Sequence, residues 1–370
     1  MIIAINSVSL SKSDSNDVFY NYFFTAAATH PEHQFIFIAR ALITAGTNTS
    51  DNINYVVSSP AASNSLVWKI WLDYTLPGIA KKHKVDIIIN TSGLCSLRTK
   101  IPQCLFISDL SYLNLPGYVS KMQLHFLKKN MPAFIKKANV IVTASEFLTK
   151  DITRHYLTGE KKISTLQLIA GDDYLPIDWK EKEAVKEKYT EGKEYFLFNG
   201  EIHEKNNLLN LLKAFSFFKK RQKSNMQLVI AASAVSTDEP FVKDLQTYKF
   251  RKEVILLTAL PAKELAKITA AAYASVYPGI HDGTGLSSLQ AMQSGVPVIT
   301  GNAGAIKQIA GDAALYVDPS NFEDIAAKMM LLFKDETWRS ELINKGRRLI
   351  QQVKESGAEE TFWKSLATIK

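Results

Sequence analysis

The run Tyr277-Pro-Gly-Ile-His-Asp-Gly-Thr-Gly-Leu-Ser-Ser-Leu-Gln-Ala-Met-Gln-Ser-Gly-Val-Pro-Val-Ile-Thr300 decides how the rest of the chain is read. It follows an apolar segment, Ala274–Tyr277, passes through a turn rich in glycine, continues as an amphipathic stretch over Leu286–Ser294, and closes on a second apolar run, Val296–Thr300. Strand, glycine turn, helix and strand make one βαβ unit of a parallel sheet. Gly283 and Gly285 reach positive φ without strain and let the backbone approach a ligand closely. The N–H groups that open the helix, near Leu286, Ser287 and Ser288, point outward with the helix dipole behind them, so this end favours an anion.

Outward from this unit the same alternation covers the chain. Short β-branched runs stand at Ile2–Asn6, Gln34–Ala39, Asn54–Val57, Asp86–Asn90, Gln103–Ile107 and Val140–Thr143. A second series stands at Tyr195–Asn199, Gln227–Ala231, Val254–Leu257, Ala274–Tyr277 and Val296–Thr300. Most are continuous apolar runs, as expected for strands buried on both faces, with helical stretches between them. The pattern predicts two doubly wound α/β domains with parallel sheets. A length of 370 residues agrees with two domains at roughly 100–200 residues each. The expected division is 1–175 for the first domain, a Glu- and Lys-rich linker at 176–194, 195–352 for the second domain, and a closing helix at 353–370 anchored by Phe362 and Trp363.

Composition narrows the function. Hydrophobic residues are 46% and charged residues 22%, the balance of a soluble globular chain. No run approaches the ~18–20 apolar residues of a spanning helix. Met1–Asn6 has no basic flank and reads as a strand rather than a leader. Cys95 and Cys104 show neither metal-ligand nor redox spacing, which suits a reducing cytoplasm. The seven histidines form no zinc motif, and the chain contains no Asp-x-Asp, so no metal is expected. A net charge of +8 favours an anionic partner, and without an RNA- or DNA-binding motif nucleic acid is not expected.

The long run at 277–300, with Gly311-Asp-Ala-Ala-Leu-Tyr-Val-Asp-Pro319 after it, resembles the signature P-S-x-x-E-G-F-G-L-P-x-L-E-A-M-A-x-G-x-P-V-I of family 4 retaining glycosyltransferases, the mannosyltransferase-like group 1 enzymes of the GT-B fold. Phe198-Asn-Gly-Glu-Ile-His-Glu-Lys-Asn-Asn-Leu208 is similar to the family's G-R-x-x-x-x-K-N, Leu105-Phe-Ile-Ser-Asp-Leu-Ser-Tyr-Leu113 to its H-D-L-x-x-L, and Ala138–Phe147 to its A-D-x-I-x-x-x-S-E-F. The resemblance runs from about residue 105 to the C-terminus. It implies two Rossmann-like domains facing a cleft and a last helix that crosses back to the first domain. It also implies transfer of a sugar, with retention, from a nucleotide-sugar donor to a glycan or lipid-linked glycan, without a metal or other cofactor.

Carried over residue by residue, the resemblance implies a donor site made of Gly200, Glu201, Lys205, Asn206, Leu260, Asp282, Gly283, Thr284, Gly285, Leu286, Ser287 and Gln290. Asp282 would hold sugar hydroxyls, Gln290 the ribose, and Lys205 with the backbone N–H groups of 283–287 the diphosphate. Leu260 would line the base pocket, or else belong to the core. Ser108 and Asp109 would face the acceptor, unless Asp109 caps the loop Ser111–Leu115. Several positions depart from the family. Asp282 and Gln290 replace its two glutamates, Glu201 its arginine, Asn206 its lysine and Ser108 its histidine, and the loop Ser9–Asn16 lacks the usual glycines. Each lost cation removes a phosphate contact of about 1.5–3 kcal/mol. An active enzyme with weakened or altered donor binding, a non-catalytic relative acting as a binding or partner subunit, and another GT-B activity all remain open.

Lys121, Lys128, Lys129 and Lys136 recur at helical spacing beside Phe126, Leu127 and Met131. The stripe reads either as a solvated helix face or as a weak contact with an anionic membrane surface, which would place the protein at the inner face of a cytoplasmic membrane.

Overall fold

A computed structural model describes residues 1–8, 18–40, 51–61, 64–156, 162–167, 171, 173–232, 240–367 and 369. The loop Ser9–Asn16 lies outside them. The chain divides into two units, Met1–Leu168 with Gly357–Lys370, and Ile169–Ser356.

In the first unit seven strands are described: β1 (Ile2–Asn6), β2 (Gln34–Ala39), β3 (Ile53–Val57), β4 (Ile87–Asn90), β5 (Gln103–Ile107), β6 (Val140–Thr143) and β7 (Ile163–Thr165). They form one parallel sheet in the order β3-β2-β1-β4-β5-β6-β7. Strands β4 and β5 are buried at every position, as the unbroken apolar runs require. The three-residue β7 is too short to register as a periodic run. At the reversal of strand order Asn6 pairs with Asn90, and its Nδ2 donates to the Asn90 Oδ1 at 2.9 Å.

The helix Ala358–Ala367 belongs to this same unit. Phe362 is fully buried, with ring centroids 5.9 Å from Phe23 and 5.5 Å from Phe106, and Trp363 lies 4.1 Å from the ring of His30. The Tyr22 hydroxyl donates to Glu359 at 3.1 Å. Both cysteines are buried, and burial pushes the Cys95 thiol up to about 12, far from a reactive thiolate.

The second unit carries β8 (Tyr195–Asn199), β9 (Gln227–Ala232), β10 (Val254–Thr258), β11 (Ala274–Tyr277), β12 (Val298–Gly301) and β13 (Leu315–Val317), parallel in the order β10-β9-β8-β11-β12-β13. Apolar residues fill both faces: Phe196, Phe198, Leu211 and Phe215 on one, Tyr195, Leu197, Leu289 and Val298 on the other. Each fully buried side chain of this size contributes about 1.5–3 kcal/mol.

The expected linker at 176–194 is not one. It holds the helix Trp179–Thr190, capped by the Asp178 carboxylate on the Glu181 N–H, and it belongs to the second unit. Val185 is buried, Tyr189 donates to Glu264 at 2.6 Å, and the Lys186 ammonium is held by Glu183 and Glu194 at 2.9 and 2.5 Å. A run rich in Glu and Lys looks solvated in sequence, yet one apolar stripe and paired charges suffice to dock it. Among the described residues no helix is long and apolar enough to cross a membrane.

Candidate functional site

Strand order in the second sheet reverses between β8 and β11, and open parallel sheets bind ligands beyond the carboxyl ends of the strands at such a point. The loops that leave those two strands are Gly200–Asn207 and Pro278–Gly285. They are tied together: the Ile280 N–H donates to the Lys205 carbonyl at 2.9 Å, and the Tyr277 hydroxyl to the Asn206 Oδ1 at 2.7 Å. Asn199, the last residue of β8, donates from Nδ2 to the Gln290 Oε1 at 2.9 Å.

Asp282 shapes the glycine turn. Its Oδ1 accepts from the N–H groups of Thr284 at 3.0 Å and Gly285 at 2.7 Å, and the Thr284 hydroxyl accepts from Leu286 at 3.3 Å. Gly285 has φ +68° and opens the helix Leu286–Gln293. Part of the Asp282 residue reaches solvent, but its carboxyl group is enclosed. Burial therefore raises its pKa, against the pull of the two N–H bonds and the charges of His281 and Lys205. The loop is held from below by glycine. A side chain at Gly304 (φ +84°) would place Cβ 2.2 Å from the Asp282 carbonyl oxygen, and one at Gly301 would place it 2.1 Å from that of Gly279.

The expected donor residues do not all behave as their positions suggest. Gly200, Lys205, Asp282–Ser287 and Gln290 come together at this end of the sheet. Glu201 is exposed beside them, but Asn206 is 3% exposed, its Oδ1 taken by Tyr277 and its Nδ2 donating to the Glu201 carbonyl at 2.9 Å. The Asn206 amide braces the loop from inside. The donors expected from 283–287 are also partly used, since Asp282 and Thr284 take those of 284, 285 and 286. Leu260 packs half-buried against the core on one face of the sheet, after the edge strand β10.

Three residues that sequence reasoning passed over support the site. Asn199 and Tyr277 hold Gln290 and Asn206, and Asn207, at φ +62°, donates to the carbonyls of Pro278 at 3.0 Å and Pro319 at 2.6 Å. Asn tolerates positive φ, which is the one local signal Asn207 carries. Ser288 is fully buried, its hydroxyl without a hydrogen-bond partner among the described residues. Ser108 and Asp109 follow β5 in the first unit. Asp109 is exposed and accepts from the Ser111 N–H at 2.6 Å, the cap of the turn that follows.

Residues 180–349 match the family model described as Glycosyl transferases group 1. They contain the whole of the β8–β11 end just described. The chain is 27% identical over 261 residues to O-antigen chain mannosyltransferase B of Escherichia coli, an alignment that covers 70% of this chain and 66% of that protein, just short of two thirds. Among solved structures it superposes on Anabaena Alr3699/HepE in complex with UDP and glucose, TM-score 0.79 at 11% identity over the whole of both chains. It also superposes on WaaG, a glycosyltransferase involved in lipopolysaccharide biosynthesis, TM-score 0.75 at 14% identity over 97% of this chain and 99% of that one. The two units have the two parallel-sheet α/β domains of the GT-B fold.

Proposed function

We propose that the chain is a family 4 retaining glycosyltransferase that moves a hexosyl group, mannosyl by analogy with its bacterial relative, from a nucleotide sugar to a glycan or lipid-linked glycan. The observation that carries this reading is the glycine turn 283–285 feeding the helix Leu286–Gln293 at the switch point of the second sheet. A diphosphate suits that helix end, where Ser287 and Ser288 supply backbone donors and Lys205 the nearby cation. Departure of the nucleoside diphosphate is the demanding step of such a transfer, so charge placed there in advance lowers the barrier. The proposed chemistry needs no metal, because the cation and the amide dipoles serve the phosphates. Gln290, oriented by Asn199, meets the ribose, and Asp282, whose Oδ1 caps the turn, holds a donor-sugar hydroxyl with the rest of its carboxyl group. Ser108 and Asp109 serve the acceptor side, and the protein works in the cytoplasm.

Calorimetry of the full chain with UDP, GDP and ADP tests the donor site. One base is expected to be preferred, at micromolar affinity or weaker, because Glu201 and Asn206 replace two cations. Turnover of a panel of nucleoside-diphosphate sugars, mannose donors included, then tests transfer. If none of the three nucleotides binds at millimolar concentration, the donor-site reading falls and a non-catalytic relative takes its place.

A further inference from the structure

We infer that His281 supplies, by protonation, positive charge that this site lacks, so that a nucleoside diphosphate and a proton bind together, the proton on the imidazole. This rests on the donor-site reading above and deepens it. Of the chain's seven histidines only His203 and His281 fall in the second unit, and both stand in the two loops that meet at the β8–β11 end.

His281 precedes Asp282 in the glycine turn and is 7% exposed. The backbone on either side of it is fixed: the Ile280 N–H donates to the Lys205 carbonyl at 2.9 Å, and the Asp282 carbonyl accepts from the Ala305 N–H at 2.6 Å. A diphosphate on the N–H groups of Ser287 and Ser288 meets the same turn, where an enclosed charge is little screened by solvent. The enclosed Asp282 carboxyl group already feels the charges of His281 and Lys205. His203 is differently engaged. Its Nδ1 accepts from the Lys205 N–H at 3.2 Å, a bond that a proton on that nitrogen would break.

The surroundings favour a proton. The titratable and charged groups on the segments about His281 are Asp282 on its own turn, Glu201, His203, Glu204 and Lys205 on the loop tied to it, Lys307 on the helix Ala305–Ala310, and Asp318 beside the Pro319 carbonyl that Asn207 holds. The helix Leu286–Gln293 adds none. Among the described residues four carboxyl groups thus stand against two lysines, and a diphosphate brings about two to three further negative charges. Each nearby anion favours the protonated imidazole, and histidine is the side chain whose charge changes nearest neutral pH. The proton comes from solvent and returns there when the nucleotide leaves. The complex therefore binds more protons than the free chain, so affinity rises as pH falls and levels off at high pH, where the imidazole is neutral in both.

Calorimetry of the full chain with whichever of UDP, GDP and ADP binds most tightly, in two buffers of different ionisation enthalpy, counts the protons taken up. About 0.4 proton per nucleotide is expected near pH 7.5, with binding roughly fivefold tighter at pH 6.5 than at pH 8.5. The nucleotide's own last ionisation, at about 6, works in the opposite sense, so the decisive quantity is the difference between wild type and His281→Gln. That variant is expected to lose the uptake and to bind at each pH as wild type does at pH 8.5. His203→Asn, which keeps an acceptor for the Lys205 N–H, is expected to retain the uptake. Uptake that persists in His281→Gln would assign the proton to Asp282 or His203 and overturn the inference. If His281→Gln does not fold, uptake retained in both Asp282→Asn and His203→Asn assigns the proton to His281, and its loss in either overturns that assignment. Wild-type binding without uptake removes this inference alone, whereas absence of binding at both pH 6.5 and pH 8.5 removes the donor site with it.

Discussion

The Tyr277 hydroxyl donates a 2.7 Å hydrogen bond to Oδ1 of Asn206, and Asn206 in turn donates to the carbonyl of Glu201 at 2.9 Å. One buried amide thus locks the end of β11 to the loop that leaves β8. Sequence reading alone suggests restoring the family's two cations together, as Glu201→Arg with Asn206→Lys. The structure separates the two positions.

Glu201→Arg is expected to leave stability within about 0.5 kcal/mol, as for most exposed positions. It should tighten nucleoside-diphosphate binding severalfold, with a gain that shrinks as salt rises. Asn206→Lys strands the Tyr277 hydroxyl and buries an ammonium group, so it should cost at least about 2 kcal/mol. For a unit of this size that is a fall in Tm of roughly 5 °C or more. Differential scanning calorimetry with nucleotide titration reads both effects; equal stability of the two single variants would show that the Asn206 bonds carry no load.

Asp282→Asn probes the enclosed carboxyl group. Its raised pKa means that the folded chain prefers the protonated acid, so wild type has no penalty below the ordinary aspartate pKa of about 3.9 and a growing one as pH climbs through the raised value. Asn keeps an oxygen for the Thr284 and Gly285 N–H groups without the charge. The variant is expected to match wild type near pH 3.5 and to melt higher at pH 7, while losing any turnover that depends on the carboxylate. A variant that melts lower at pH 7 would mean that the charge stabilises the turn.

Gly304→Ala drives a methyl group to 2.2 Å from the Asp282 carbonyl oxygen at φ +84°. Steric overlap and left-handed strain together should cost about 3 kcal/mol and displace the 282–285 turn, weakening nucleotide binding as well as stability. Gly78→Ala, with nothing within 4 Å of the new Cβ and a position inside the helix Leu76–Lys82, should stabilise by about 0.5–1 kcal/mol. Urea denaturation of the two variants is expected to show opposite signs.

Phe362→Ala removes a fully buried ring that meets Phe23 and Phe106. The cavity should cost about 3–5 kcal/mol in the first unit. Limited proteolysis should then cut first around Gly357, which joins the last helix to the chain; resistance equal to wild type would show that this helix is not held by its aromatic contacts.

The alternation of apolar runs and amphipathic stretches is local, and it was enough to predict two parallel α/β units, nearly all of their strands and the glycine turn before Leu286. Backbone hydrogen bonding and side-chain periodicity act between near neighbours, so they are written in consecutive residues. The stretch 277–300 that carries the resemblance was legible for the same reason, being one uninterrupted βαβ stretch.

What a side chain at the site does was decided by tertiary structure. Asn206 meets a residue 71 positions away and Asn199 one 91 positions away, and only the strand order β8-β11 brings them within reach. The motif placed Asn206 and Asp282 toward a ligand, whereas packing turned the first into an internal brace and used the second to cap its own turn. The charged run at 176–194 reads as a linker, but the partners of Lys186 and Tyr189 dock its helix within the second unit, and the apolar side of the lysine helix is the side that Phe126 and Met131 bury in the core. Sequence states which residues avoid water; the physical reason it cannot say where they go is that burial and long-range hydrogen bonds depend on which distant segments the chain brings alongside.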